Sequence, residues 1–188
     1  MKKTVLTFGL IGGAIMAAMM FATLPFMDKI GFDRGEIVGY TTMILAFLLV
    51  FFGIRSYREN VSGGRITFGR AFAVGILITL VVCVCYVVAW EILYFKFMPD
   101  FVDKYASYMV EKVRASGASQ QVIDAKLQEM KSFKAMYDNP FINAAITFTE
   151  PFPIGLIVTL ISAAILRKKT TAATRDEGSA QLQVQQEN

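Results

Sequence analysis

The sequence predicts an all-α, polytopic membrane protein: four transmembrane helices, with a helical hairpin inserted between the third and the fourth. Three observations carry that class. Apolar residues make up 55% of the 188-residue chain and charged residues only 18%, against the ~45–50% and about 25% of an ordinary soluble domain. The charges gather into short stretches and leave four apolar runs, each near the ~20 residues that cross a hydrocarbon core of about 30 Å. Basic residues crowd alternate flanks of those runs, as expected where Lys and Arg resist translocation.

The first span covers about residues 4–27, behind Lys2 and Lys3. Its apolar stretch is longer than the core of a typical signal peptide, and no A-x-A-like site precedes Pro25, so it reads as an uncleaved span. The second span covers 36–54 and is closed by Arg55 and Arg58; the third covers 71–97 and is opened by Arg65 and Arg70. The fourth lies within 141–166 and stops at Arg167-Lys168-Lys169.

The loop between the second and third spans carries those four arginines against one acid, Glu59, and the tail carries Arg167, Lys168, Lys169 and Arg175. In the first connection Lys29 and Arg34 are offset by Asp28 and Asp33, and the charges of 98–140 cancel as well. Both termini are therefore expected in the cytoplasm, which an even number of spans also requires. The basic loop Arg55, Arg58, Arg65 and Arg70 suits anionic lipid, although orientation charge explains it equally well.

Residues 98–140 are too polar to span and too patterned for a linker. Phe101, Tyr105, Tyr108, Met109 and Val113 recur at helical spacing, as do Ile123, Leu127, Met130 and Tyr137. Ser116-Gly117-Ala118-Ser119 separates the two runs, with Ser119 as N-cap, and Asn139-Pro140 ends the second. The apolar stripe of this hairpin is expected to pack within the molecule; the alternative is a docking surface for another protein. From about Thr170 the Gln-, Thr- and Ser-rich tail (170–188) reads as disordered. Residues 1–169 then form one transmembrane domain.

Small residues recur every fourth position in the first span as Gly9, Gly13, Ala17 and as Ala14, Ala18, Ala22, with Gly75 and Gly155 in similar rows on the third and fourth. Such rows let helix backbones approach, either inside one bundle or between two copies of the chain. Two acids sit in or beside apolar runs. Glu91 is 20 residues beyond Ala71, or about 30 Å along a helix, which places it at the outer interface with Trp90 and Tyr94 as an aromatic belt. Glu150 lies about 24 Å from the opposite boundary, and opens Glu150-Pro151-Phe152-Pro153. Pro151 and Pro153 would free the carbonyls of Thr147 and Thr149. Carboxylate, hydroxyls and carbonyls at one depth suit a transport site; the alternative is a proline kink with Glu150 protonated or bonded to a neighbouring helix.

The chain contains no histidine, and no nucleophile–base spacing is visible, so no enzyme is expected, and no cofactor or metal. Cys83 and Cys85, two apart on a helix, point roughly 200° apart and form neither a disulfide nor a metal clip. The net charge of +4 reflects flank residues rather than nucleic-acid binding.

Gly64-Arg65-Ile66-Thr67-Phe68-Gly69-Arg70-Ala71-Phe72, and Asn139-Pro140 through Thr147-Phe148-Thr149-Glu150-Pro151-Phe152-Pro153-Ile154-Gly155-Leu156-Ile157, resemble the bacterial membrane family catalogued as domain of unknown function 4199. The resemblance extends to about Lys169. It implies a bacterial inner-membrane setting with residues 98–140 as a periplasmic helical hairpin, and carries no activity. The expectation is a non-enzymatic structural, accessory or partner-binding protein in the lipid bilayer, with a periplasmic protein or a second copy as partner. The alternative is a subunit of an oligomeric transporter or channel using Glu150 and the proline-interrupted fourth span.

Overall fold

The computed structural model describes residues 1–167, so the expected disordered tail and Lys168, Lys169 and Arg175 lie outside the described residues. Within them the chain forms seven α-helices: α1 (Lys2–Thr23), α2 (Met27–Asn60), α3 (Phe68–Ile92), α4 (Phe101–Ala115), α5 (Gln120–Tyr137), α6 (Pro140–Phe148) and α7 (Pro151–Leu166). Four helical stretches are long and apolar enough to cross a membrane: Lys2–Phe26, Lys29–Asn60, Phe68–Phe97 and Pro140–Leu166. The predicted spans are therefore present; three exceed the apolar run that announced them by one to three residues, and the second, at 32 residues, exceeds its run by thirteen.

The extensions have local causes. A 3-10 turn, Leu24–Phe26, with Pro25 joins α1 to α2, and Gly31 then bends α2 with φ 72° and ψ 168°, a conformation open essentially only to glycine. The polar connection read between the first two spans is thus helical, not a loop. At the other end of α2, Gly63 and Gly64 take positive φ, and the Gly64 N–H reaches the Arg58 carbonyl at 2.9 Å, satisfying a last-turn acceptor. Thr67 then caps α3 by accepting from the Arg70 N–H. Beyond Ile92 the third span continues as a π-turn, Leu93–Phe97.

α1, α3, α7 and α2 neighbour one another in that cyclic order, and α2 touches α3 across the middle. Phe47, Val50 and Ile54 of α2 meet Val74, Ile78 and Val82 of α3 in a core with no exposed surface. Glycines set the spacing. A Cβ on Gly9 would lie 2.7 Å from Val81, and one on Gly75 would lie 2.8 Å from both Ile54 and Thr159. Gly13 abuts Cys85, and Gly155 abuts Thr79 and Phe47. Gly9 and Gly13 of the row Gly9, Gly13, Ala17 thus face α3 of the same chain. Ala14, Ala18 and Ala22 form the outward row. Thr79 and Thr159 satisfy each other's hydroxyls at 3.0 Å across the α3–α7 contact, as buried polar groups must.

α4 and α5 form the predicted hairpin, turning at Gly117 with φ 77°. Ser119 occupies the N-cap position of α5 but makes no side-chain cap bond. Asn139-Pro140 ends one helix and also starts the next, because the Asn139 side chain accepts from the N–H groups of Phe141 and Ile142. Much of the apolar stripe packs within the molecule, while Leu127 stays exposed. Ile123, Met130 and Tyr137 are buried, and the ring of Phe32 lies 5.8, 5.4 and 5.1 Å from those of Phe101, Tyr105 and Tyr108.

Candidate functional site

The end of the bundle beneath the hairpin is not filled. A cavity of about 620 Å³ lies there, with the end of α1, the start of α2, the end of α3 and the underside of α4 as its walls. Its size falls within the range of about 300–1,000 Å³ typical of small-molecule sites. Helix α2 contributes open space because Gly35 and Gly39 line the wall and an added Cβ on either would meet nothing within 4 Å. The same residue type that closes the other half of the bundle leaves this half open.

The lining has a marked composition. Seven of the ten methionines face the cavity, among them Met16, Met20 and Met43 from the spans and Met98 and Met109 from the hairpin. Unbranched thioethers adapt to ligands of varied shape. Aromatic residues Tyr40, Tyr86, Trp90 and Phe101 join them. The polar groups are few: Asp33, Glu36, Glu150 and Lys112, with several hydroxyls.

Asp33 fastens the hairpin to α2. It accepts from the Tyr108 hydroxyl at 2.6 Å and from the Lys112 ammonium at 3.2 Å. The Tyr108 oxygen and the Asp33 carboxylate together hold the Lys112 pKa above its ordinary value. A second seam joins α3 to α5 and α6. The Trp90 indole N–H donates to the Tyr137 hydroxyl at 2.9 Å, and the Tyr94 hydroxyl donates to Asp138 at 2.7 Å. Burial raises the Tyr137 phenol above its usual pKa, so it serves as a neutral bridge. Trp90 and Tyr94 therefore do not form the outward aromatic belt that the sequence suggests. The hairpin covers this end of α3, and their polar atoms find partners on α5.

Glu150 faces the cavity and accepts from the Tyr86 hydroxyl of α3 at 2.8 Å. Thr147 belongs to a different set. Its buried hydroxyl donates to Asn143 at 3.1 Å and lies 3.4 Å from the Tyr137 hydroxyl. Thr149 is exposed and donates to the Ile146 carbonyl at 2.6 Å. The expected cluster of one carboxylate with two threonines is thus not assembled. The break between α6 and α7 is also slighter than two prolines suggest. Thr149 and Glu150 keep right-handed helical angles, and the N–H of Glu150 reaches back to the Thr147 carbonyl at 3.4 Å. Pro151 is buried at the first position of α7, where its missing donor has no helical acceptor to lose, and Pro153 faces outward.

Glu91 is half-buried outside this cavity, and its Oε1 has no partner among the described residues. The basic loop divides. Arg55 and Arg58 both reach Glu59, at 3.2 and 2.9 Å, and Arg58 also donates to the Leu166 carbonyl at 3.3 Å, where the negative end of α7 favours a cation. Arg65 and Arg70 are exposed.

Residues 7–168 match the family model described as Protein of unknown function (DUF4199). The chain belongs to this family. Comparison with curated proteins and with solved structures finds no match. The matched region of this DUF4199 chain takes in the first span from Thr7 onward, the other three spans, the hairpin and every residue lining the cavity.

Sequence reasoning reached Glu150 in the DUF4199 chain but missed Glu36, which lines the same cavity. A signal was available: both acids sit at the hairpin ends of their spans. The methionines were a second signal, since Met16, Met19, Met20 and Met27 crowd the same end of the first span.

Proposed function

We propose that the chain is a non-enzymatic accessory protein of the bacterial inner membrane that binds an apolar or amphipathic small molecule beneath a periplasmic hairpin. The cavity carries this reading: it is large, lined by methionine and aromatic side chains, and confined to one half of the bundle. The other half is filled by Phe47, Val50, Ile54 and Ile78, which favours holding a ligand over passing one through a single protomer. The basic flanks support cytoplasmic termini, and exposed Arg65 and Arg70 suit anionic headgroups at that face.

The test is Gly39→Trp, which places a large ring where an added Cβ meets no atom within 4 Å. A neutral solvatochromic dye titrated into the purified protein should bind saturably with a blue shift. The substitution should weaken that binding at least about tenfold, the loss of the ligand's apolar contacts, while the unfolding temperature changes little. Absence of saturable binding, or binding indifferent to Gly39→Trp, overturns the reading.

A second reading, a subunit of an oligomeric transporter, draws on Glu150 facing the same cavity. It predicts that Glu150→Gln abolishes an ion or proton flux in liposomes with folding intact. A flux that survives the substitution sinks it.

A further inference from the structure

We infer that the ligand of this cavity is an organic cation with an apolar body, such as a lipophilic amine or onium compound; the inference rests on the cavity being a binding site. The charge lining the cavity is unbalanced. Three carboxylates, Asp33, Glu36 and Glu150, face one ammonium, Lys112, a formal excess of two negative charges. Lys112 is already paired with Asp33 at 3.2 Å. Glu36 and Glu150 line the same cavity and have no ion pair among the described residues. The neutral Tyr86 hydroxyl supplies Glu150 with one hydrogen bond and no countercharge.

Both carboxylates are exposed, and a ligand that displaces their water leaves two like charges uncompensated unless it carries a positive one. The lining says which kind of cation fits. Among the described residues no group of three or more His, Cys, Asp or Glu side chains is placed to hold a metal ion, and a hard cation wants about six oxygen ligands. The cavity offers instead aromatic side chains, Tyr40, Tyr86 and Trp90, whose ring faces attract organic cations. Methionines surround them, accommodating an apolar body without fixing its outline. An anion finds no unpaired basic group among the lining residues, and a neutral apolar molecule leaves both carboxylates uncompensated.

The experiment compares tetraphenylphosphonium with tetraphenylborate, ions of nearly the same shape and opposite charge, together with the neutral dye. Each is titrated into the full chain in nanodiscs of zwitterionic lipid. Wild-type protein should bind the phosphonium at least about tenfold more tightly than the borate, the scale of one poorly screened charge pair. Glu36→Gln and Glu150→Gln together should erase the preference while the neutral dye still binds. Should the double variant fail to fold, exposed Glu36→Gln alone should narrow the preference severalfold.

Equal binding of all three probes, each blocked by Gly39→Trp, overturns the cation inference and leaves the binding reading standing. A phosphonium preference that persists in the folded double variant also overturns the inference. Binding of no probe in a Gly39-dependent way removes both.

Discussion

Two glycines in this chain show how the same side chain, or its lack, produces opposite outcomes. At Gly155 an added Cβ would lie 2.7 Å from the Phe47 ring and closer still to Thr79. Both neighbours are fully buried, so they have no free space into which to move. Gly155→Ala is therefore expected to destabilise the bundle by about 1–3 kcal/mol, the usual cost of overpacking. At Gly39 nothing lies within 4 Å, and the backbone is helical. Gly39→Ala should be neutral or stabilising by about 0.5–1 kcal/mol through reduced backbone entropy. Unfolding midpoints of the two variants test the contrast; equal losses would show that α2 is tightly packed along its whole length. The Lys112 clamp makes a prediction of its own. Its pKa is raised in the folded chain, so its contribution is fully present below the ordinary lysine value of 10.5 and is lost as pH rises through the higher folded value. Amide exchange in α4, corrected for its intrinsic rate, should stay protected at neutral pH and loosen only in that alkaline window. Tyr108→Phe, which removes one bond to Asp33, should loosen it at every pH.

At the scale of the element, the bend at Gly31 connects a turn in sequence to the placement of the hairpin. Phe32 and Asp33 follow immediately, and these two residues hold α4 through ring contacts and the clamp. Gly31→Ala should cost about 1–3 kcal/mol, since its φ and ψ are nearly closed to side-chain-bearing residues. It should also expose α4 to exchange or proteolysis more than it disturbs α3 and α7. A uniform loss across all helices would show that the bend is not specific to hairpin docking. What was legible in the sequence divides along the same line. Spans and hairpin could be read because apolar periodicity and charge segregation are local signals. The Gly31 bend could not, since one glycine among polar residues looks like any loop. That Glu36 and Glu150 line one cavity was also hidden, because residues 114 positions apart come to one site only through helix order. Glu150 itself was found by depth arithmetic along one helix. Its partner Tyr86 was missed because which face of α3 meets α7 is decided by the tight contacts at Gly75 and Gly155.

For the whole molecule, the four-helix ring has one filled half and one open half, and the two halves differ in what surrounds them. The filled end carries the arginine loop, with Arg58 bonded to the end of α7. The open end carries the charge-balanced hairpin that roofs the cavity. If basic residues set orientation, the cavity lies in the outer half of the membrane, where a ligand arrives from the periplasm or the outer leaflet. Single cysteines decide this in intact cells, in a chain with Cys83 and Cys85 replaced by alanine. Ser119→Cys, exposed in the hairpin turn, should react with a membrane-impermeant maleimide. Val61→Cys, 54% exposed in the loop after α2, should react only after the cells are opened. The reverse pattern would place the hairpin in the cytoplasm and turn the cavity toward cytoplasmic ligands. Labelling of both sites in intact cells would mean the chain does not hold one orientation, and a one-sided binding role would then lose its basis.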